Sequence, residues 1–234
     1  MEDQAKSRLV DLSQVIEDGM TTYKGLPGPH ICDFWTREAS AANYDDGSTF
    51  HIGRIDMVAN TGTYVDSPFH RFAEGKDLSE LNLETLADLD GLVVRAPYED
   101  GLAVAAEAFA GRDVRGKAVL VATGWDRHWR TATYQTDNPF LTAAAAQWLA
   151  KNGAMFVGID SHNIDDINQR ARPVHTILLG AGIPICEHMT NLAALPDSGF
   201  RFAAVPPKVK GLGTFPVRAY AVIACQAGPC PSAQ

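Results

Sequence analysis

The sequence predicts an α/β fold organised as a single domain, and three observations lead to this prediction. Buried strands and an amphipathic helix alternate between residues 119 and 160. The length of 234 residues is ordinary for one α/β domain, and a hydrophobic content of 46% with 21% charged residues supplies a sizeable core. We therefore expect one domain over residues 1–225, followed by a flexible tail over residues 226–234, which is rich in Gly, Pro and Ser.

The alternating segment is a β-α-β unit. Residues 119–124 and 155–160 are apolar runs typical of buried strands, and residues 141–151 form an Ala-rich amphipathic helix between them. Such strands are expected to be parallel, and polar groups after their carboxyl ends, such as Asp160, fall where α/β proteins commonly bind ligands. Further strand-like stretches lie at residues 9–12, 52–58, 92–96, 183–186, 200–205 and 217–223.

Charge and composition exclude several classes of function. The net charge of −8 and the absence of clustered Lys and Arg argue against nucleic acid as a partner. No apolar run approaches the roughly 18 residues of a membrane span, and residues 1–10 lack the apolar core of a signal peptide, so we expect a cytoplasmic protein with no membrane partner. The four cysteines form no CxxC pair. Neither GxGxxG nor GxxxxGK[ST] is present, so the sequence does not indicate a nucleotide-binding fold.

Residues 60–70, Asn-Thr-Gly-Thr-Tyr-Val-Asp-Ser-Pro-Phe-His, concentrate chemical groups after a predicted strand. An amide, a phenol, a carboxylate and an imidazole lie within eleven positions. Gly62 permits a backbone geometry closed to other residues, and Pro68 disfavours a helical Ser67. We expect a stiff loop that aims these side chains at a functional site.

Two more residues extend this pattern to a metal site. Glu187 follows the apolar residues 183–186 and would be costly to bury without a partner, and His175 offers an imidazole nearby in sequence. With Asp66, these residues form a mixed N/O ligand set whose two carboxylates would neutralise one divalent ion such as Mn²⁺ or Zn²⁺. The alternatives are an Asx-turn at Asp66, a carbonyl hydrogen bond at His70 and an ion pair between Glu187 and an arginine.

The same residues carry a resemblance to a known family. The segment resembles the signature H-x-G-T-H-x-D-x-P-x-H of the putative cyclase family, which includes bacterial kynurenine formamidases and isatin hydrolases. Gly62, Thr63, Asp66, Pro68 and His70 match it. Further matches are residues 11–13, 123–125, 158–160, 187–192 and 215–218, together with His175, so the resemblance spans nearly the whole chain.

The resemblance implies a swivelling β/β/α fold, assembly into homodimers or homotetramers, and hydrolysis of an amide or lactam bond beside an aromatic ring of a small-molecule substrate. In the family, two motif histidines and the motif aspartate bind a first metal ion, and the aspartate, a later histidine and a glutamate bind a second. Carried over by position, Asp66, His175 and Glu187 would be metal ligands, and His70 would be the catalytic acid/base.

This sequence departs from the family at two ligand positions. Asn60 and Tyr64 stand where the signature has its two metal-binding histidines. An amide oxygen is a weak ligand, and a phenol with a pKa of about 10 must first lose its proton. We therefore expect one divalent ion at most, Mn or Zn, with Asn60 or Tyr64 making weak metal contacts or hydrogen-bonding a developing oxyanion. His70 would transfer protons between water and the departing nitrogen.

Aromatic side chains lie within or beside the matched segments and are candidates for the wall of an aromatic substrate pocket. They are Phe69, Phe72, Trp125, Trp129 and Phe215. Large aromatic residues are also the usual material of a core, so each has that alternative.

Two other functions remain open from the sequence. The first is a non-hydrolytic small-molecule-binding pseudoenzyme, which the replaced histidines favour. The second is a metal-independent lyase, dehydratase or cyclase in which Tyr64 and His70 form an acid/base pair. Metal analysis separates the first from a hydrolase, and activity that survives EDTA identifies the second.

Overall fold

The computed structural model describes residues 7–224, so the predicted tail, Cys225 and Cys230 lie outside the described residues. Within this range, the three α-helices are α1 (Arg37–Ser40), α2 (Ala143–Lys151) and α3 (Pro173–Gly180). The strands are β1 (Ser7–Asp11), β2 (His30–Trp35), β3 (Ile52–Asp56), β4 (Tyr64–Asp66), β5 (Leu89–Arg95), β6 (Ala103–Val104), β7 (Lys117–Ala122), β8 (Phe140–Leu141), β9 (Phe156–Ile159), β10 (Ile185–Glu187), β11 (Ser198–Ala203), β12 (Thr214–Pro216) and β13 (Tyr220–Ala224).

Nine strands form one mixed sheet in the order β1-β13-β11-β5-β7-β9-β10-β4-β12. The four central strands β5, β7, β9 and β10 are parallel, and antiparallel strands extend the sheet on both sides. The predicted β-α-β unit is confirmed, since β7 and β9 pair in parallel and α2 lies between them in the chain. The prediction of an α/β fold is likewise confirmed.

Alternate residues of the central strands enter two separate apolar clusters, as the two-residue period of a strand requires. Val119 and Val121 of β7 pack with helices α2 and α3, whereas Ala118 and Leu120 pack in the second cluster. That second cluster joins Val10 of β1 to residues of strands near the other end of the sheet. Both ends of the sheet therefore line one core, and the sheet is curled.

Two features of the fold differ from the sequence-based expectation. The segment around residue 65 is not a loop, because Tyr64–Asp66 is a fully buried strand between β10 and β12. Helix α3 was not predicted, and it begins with Pro173 at its first position, where a missing N–H is tolerated. Both elements are short, and both carry residues of the candidate site.

Strands β2 and β3 form a separate two-stranded antiparallel sheet with exposed apolar side chains. Phe34 is 65% exposed and Ile55 is 56% exposed. Among residues 7–224, no helix is long and apolar enough to cross a membrane. The two described cysteines, Cys32 and Cys186, are free thiols.

Candidate active site

Strand β4 supplies the floor of the candidate site, and its two neighbours fix what surrounds it. Tyr64 and Asp66 point to the same face because they are two residues apart on a strand. In register, Glu187 of β10 lies opposite Tyr64, and Thr214 of β12 lies opposite Asp66. Four polar side chains of three strands therefore meet on one face of the sheet.

A hydroxyl group links Asp66 to His70. Thr214 Oγ1 donates a hydrogen bond to Asp66 Oδ1 and lies 2.9 Å from His70 Nδ1. A hydroxyl has one proton, and an ionised carboxylate can only accept, so Thr214 accepts its second bond from His70 Nδ1–H. This tautomer leaves His70 Nε2 with a free lone pair, and the His70 side chain is 35% exposed.

Glycine at position 213 allows the turn that carries His70 to approach β12. A Cβ atom on Gly213 would lie 2.5 Å from the backbone nitrogen of His70, closer than real Cβ contacts come. The segment Pro68–His70 forms one 3-10 turn directly after β4, with Pro68 at its first position. Both features bring His70 to the edge of the site.

His175 lies in the first turn of α3 and is oriented by a buried carboxylate. Asp165 accepts hydrogen bonds from the backbone N–H groups of Val174 and His175, at 2.8 and 3.1 Å, and its Oδ2 lies 2.6 Å from His175 Nδ1. A proton on Nδ1 leaves Nε2 as the free nitrogen of the ring. Asp165 is 1% exposed, and none of the sequence motifs had indicated it as part of the site.

His175 Nε2 lies between the two carboxylates of the floor. It is 3.7 Å from Asp66 Oδ2 and 3.6 Å from Glu187 Oε1. Burial lowers the pKa of His175, but the hydrogen bond to Asp165 and the negative charges of Asp66 and Glu187 outweigh it and raise the pKa to about 10. A proton and a metal ion therefore compete for Nε2.

Tyr64 and Glu187 form a buried pair. The Tyr64 hydroxyl donates to Glu187 Oε2 at 2.6 Å, and the backbone N–H of Ile164 donates to Glu187 Oε1 at 2.6 Å. Burial and the charge of Glu187 raise the pKa of Tyr64 well above its usual value, so the phenol keeps its proton. That proton is committed to Glu187, which leaves Tyr64 neither an ionised metal ligand nor a free donor to an oxyanion.

The residues present fit one divalent ion. Asp66 Oδ2 is buried and has no hydrogen-bond partner among the described residues, which is costly unless a cation faces it. Two ligand atoms that each lie about 2.1 Å from a tetrahedral ion are about 3.4 Å apart, close to the separations around His175 Nε2. Asp66, His70 and His175 each offer one potential ligand atom, and these three atoms lie within 4.8 Å of one another. His70 therefore adjoins the position where an ion would bind.

These groups open into a cavity of about 240 Å³. Its lining includes His70, His175, Glu187, Tyr64 and the half-buried Asn60, and it is completed by Tyr23, Leu26, Arg71, Asn163 and Arg172. A larger cavity of about 430 Å³ lies beyond the Pro68 turn, but it contains none of the candidate ligands or acid/base groups. The smaller cavity is therefore the candidate active site.

None of the five aromatic residues predicted for the pocket lines this cavity. Phe215 pairs with Val65, so it faces away from the side that carries Asp66 and Thr214. Phe72 lines the larger cavity, Trp125 packs on Tyr98 and His128, and Trp129 packs on Tyr134 and His188. The aromatic members of the lining are Tyr23 and Tyr64 instead.

Asp160, which the strand pattern placed at a ligand-binding edge, has a structural role. Its carboxylate accepts hydrogen bonds from the Thr123 backbone and hydroxyl and from the Gly124 backbone. Burial outweighs these bonds and raises the pKa of Asp160 to about 7. These hydrogen bonds connect the end of β7 to the end of β9, and Asp160 does not line the candidate active-site cavity.

The chain is similar in sequence to known proteins. Residues 10–166 match the sequence profile of a family described as putative cyclase. The kynurenine formamidase of Bacillus cytotoxicus is 26% identical over 214 residues, which cover 91% of this chain and 96% of that protein. The kynurenine formamidase of Geobacillus thermodenitrificans is 26% identical over 213 residues, with 90% and 95% coverage.

Solved structures share the fold. Isatin hydrolase A from Labrenzia aggregata, bound to benzyl benzoate, superposes with a TM-score of 0.79 at 22% identity and covers 93% of this chain and 94% of its own. A structure described as a predicted metal-dependent hydrolase from Bacillus stearothermophilus gives a TM-score of 0.73 at 25% identity, with 93% and 99% coverage. The fold expected from the resemblance is thereby confirmed.

Proposed function

Because this chain belongs to the putative cyclase family, we propose that it is a metal-dependent hydrolase that cleaves an amide or lactam C–N bond of a small substrate. The observation that carries the proposal is the unpartnered, buried Asp66 Oδ2 beside His175 Nε2. The ring nitrogen on the other side of His175 is held by Asp165, the arrangement in which a carboxylate orients a metal-binding histidine. The names of the similar proteins, kynurenine formamidase and isatin hydrolase, support C–N bond hydrolysis.

One divalent ion, Mn²⁺ or Zn²⁺, would be held by Asp66, His175 and Glu187. When bound, it supplies Lewis acidity that polarises a carbonyl group and makes water more acidic. Tyr64 donates its proton to Glu187 and thereby occupies an oxygen that a second ion would need. Two carboxylates also neutralise only one divalent charge, so the proposed stoichiometry is one ion per chain.

His70 is the proposed acid/base. Thr214 holds the ring through Nδ1, so Nε2 faces the cavity side with a lone pair that can take a proton from the attacking water. As the water oxygen bonds to the carbonyl carbon and the C–N bond breaks, His70 returns that proton to the departing nitrogen. Asn60 lines the same cavity, and its side-chain amide is proposed to donate a hydrogen bond to the carbonyl oxygen as negative charge develops there.

The test is hydrolysis of N-formylkynurenine, together with metal analysis of protein purified without chelator. His70→Ala should abolish turnover and keep the metal content, whereas His175→Ala should lose both. His51→Ala serves as the control, because His51 is exposed and its side chain bonds only Asp33 among the described residues. Loss of metal in His70→Ala would reassign His70 as a ligand, and a wild-type chain without metal or turnover would refute the hydrolase.

Treatment with EDTA tests the remaining alternatives in the same preparation. A hydrolase of the proposed type should lose activity with EDTA and regain it with added Mn²⁺ or Zn²⁺. Activity that survives EDTA would instead support a metal-independent lyase or cyclase that uses Tyr64 and His70. Binding of small molecules without any turnover would support a pseudoenzyme.

The proposed assembly is a homodimer or homotetramer. The separate sheet β2–β3 supports this proposal, because an isolated two-stranded sheet is marginal in water and this one exposes Phe34, Trp35 and Ile55. Light scattering after size-exclusion chromatography measures the state directly. A monomer at micromolar concentration would refute the proposal.

A further inference from the structure

Two arginine side chains stand at the entrance of the candidate cavity. Arg71 follows His70 directly and is exposed, and Arg172 precedes helix α3 and is half-buried. Both line the cavity. Both arginines therefore belong to the wall that also carries His70 and His175.

The partners of these two arginines are all neutral. Arg71 Nε donates to Thr176 Oγ1 at 3.0 Å, and Thr176 Oγ1 donates to the carbonyl of Arg172 at 2.8 Å. Arg172 Nη1 donates to main-chain carbonyls, among them those of Asp166 and Ala171 at 3.1 and 3.0 Å. Within residues 7–224, neither arginine forms an ion pair with a carboxylate, whereas five others do: Arg95, Arg127, Arg130, Arg201 and Arg218.

The cavity is therefore electrically polarised. The buried carboxylate of Glu187 lines it, and that of Asp66 lies 3.7 Å from His175 Nε2. Arg71 and Arg172 also line it and have no carboxylate partner among the described residues. The chain as a whole carries a net charge of −8, so an anion would be repelled by most of the surface and attracted to this entrance. Within residues 7–224, the hydrogen bonds of these arginines use only Nε of Arg71 and Nη1 of Arg172, so their other guanidinium nitrogens can bind a ligand.

We propose that Arg71 and Arg172 form a carboxylate-binding subsite, and that the substrate is a small amide that carries a carboxylate group. The planar guanidinium fork matches a carboxylate, and the lining contains no lysine and no glycine-rich turn of the kind that phosphate sites use. A volume of about 240 Å³ restricts the ligand to a small acid. The carboxylate stays at the entrance while the amide carbonyl reaches the floor.

This inference rests on the proposed hydrolase function and deepens it, and two matched substrates test it. Desamino-N-formylkynurenine carries a carboxylate, and its primary carboxamide has the same shape without the charge. Arg71→Gln and Arg172→Gln should each lower kcat/KM for the acid by about 10- to 100-fold, mainly through KM, because a charge-assisted hydrogen bond is lost. The carboxamide should change by less than about 3-fold, since it has no charge for the arginines to bind.

The control variant is Arg170→Gln. Arg170 is exposed in the same loop and does not line the cavity, so both substrates should keep their wild-type values. Arg172 also donates hydrogen bonds to main-chain carbonyls, so Arg172→Gln can lower the stability of the fold. In that case Arg71→Gln alone tests the inference. Equal losses for the acid and the carboxamide, or no loss for either, would overturn the inference.

Binding separates this inference from the proposed reaction. Calorimetric titration of the wild-type chain with desaminokynurenine and with its carboxamide requires no turnover. Tighter binding of the acid that disappears in Arg71→Gln supports the subsite even when the chain hydrolyses neither amide. Equal affinities of the wild-type chain for the acid and the carboxamide would overturn the subsite, whatever the activity.

Discussion

Replacing Asp165 by Asn tests how the site prepares His175 for a metal ion. Asp165 accepts three hydrogen bonds, from Val174 N, His175 N and His175 Nδ1. An asparagine of the same shape keeps one oxygen, and its NH2 group must then face at least one of these positions. When the NH2 group donates to Nδ1, the ring proton moves to Nε2, and Nε2 loses the lone pair that a metal needs.

Asp165→Asn should lower two quantities, the metal affinity and the free energy of unfolding. Loss of an orienting carboxylate typically lowers metal affinity about 10- to 100-fold, which is about 1.4 to 2.7 kcal/mol. An N–H group left facing another donor at the start of α3 should lower the free energy of unfolding by about 1 to 3 kcal/mol. Competition titration with a fluorescent chelator measures the first quantity, and urea denaturation of the metal-free protein measures the second.

Asp166→Asn is the matched control, since Asp166 is the next residue and, within residues 7–224, its carboxylate bonds only the backbone N–H of Asn168. This variant should keep the wild-type metal affinity. Lower stability with unchanged metal affinity in Asp165→Asn would refute the reasoning, because it would mean that His175 Nε2 does not bind the ion.

Three further outcomes follow from other contacts. Thr214→Val removes the hydroxyl between Asp66 and His70, so turnover of N-formylkynurenine should fall at least about 10-fold. Thr131→Val, at an exposed threonine, is the control and should keep the wild-type rate. A wild-type rate in Thr214→Val would contradict the assigned His70 tautomer. Burial lowers the pKa of His162 to about 4, so this histidine stays neutral in the native state and should reduce stability as the pH falls from 6.5 towards 4, by up to about 3 kcal/mol. His162→Gln should therefore lose less stability than the wild type between pH 7.5 and pH 4.5 in urea denaturation, and an equal loss would contradict this account. Gly91→Ala should destabilise the fold by about 1 to 3 kcal/mol, because a Cβ there would lie 1.9 Å from the Phe200 ring, and a wild-type midpoint in thermal denaturation would contradict it.

The pH dependence of stability must be compared with that of His162→Gln, because Asp160 changes the stability with pH in the direction opposite to His162. Its pKa is raised to about 7, so the native state holds a proton that the unfolded chain releases near pH 4. That group makes the protein less stable as the pH rises from 4 to 7. The raw stability profile contains both effects, and the difference between wild type and His162→Gln isolates one of them.

The parts of the fold that sequence could predict are those with a strong local pattern. The β-α-β unit has long apolar runs and an Ala-rich helix, and β7, α2 and β9 follow it closely. Strand β4 has only three residues, and two of them are polar, so no alternation identified it. Its burial is decided by neighbours that lie more than a hundred residues away in the chain.

The candidate site was predictable as a set of residue types and not as an arrangement. Asp66, His175 and Glu187 were identified from their chemistry and the family resemblance, and the fold brings them around one nitrogen. Asp165 and Thr214 were missed because their roles depend on a helix start and a strand register. An acidic residue shortly before a Pro-initiated helix is the signal that could have indicated Asp165.

The five aromatic residues predicted for the pocket are absent from the lining of this cavity for a different reason. Sequence proximity to a motif does not give the face of a strand, and Phe215 is adjacent to Thr214 but points to the opposite side of the sheet. The two tyrosines that line the cavity come from β4 and from the segment before β2. Only the folded chain assigns them to one wall.

The position of β12 has a consequence for how the protein is made. Thr214, which holds both Asp66 and His70, lies 148 residues after Asp66 in the chain. During synthesis, the aspartate leaves the ribosome long before its hydroxyl partner exists, and pairing across such a separation is slow. A nascent chain that ends before residue 214 has an incomplete centre, so we expect metal loading and activity to begin only after the last strands have emerged.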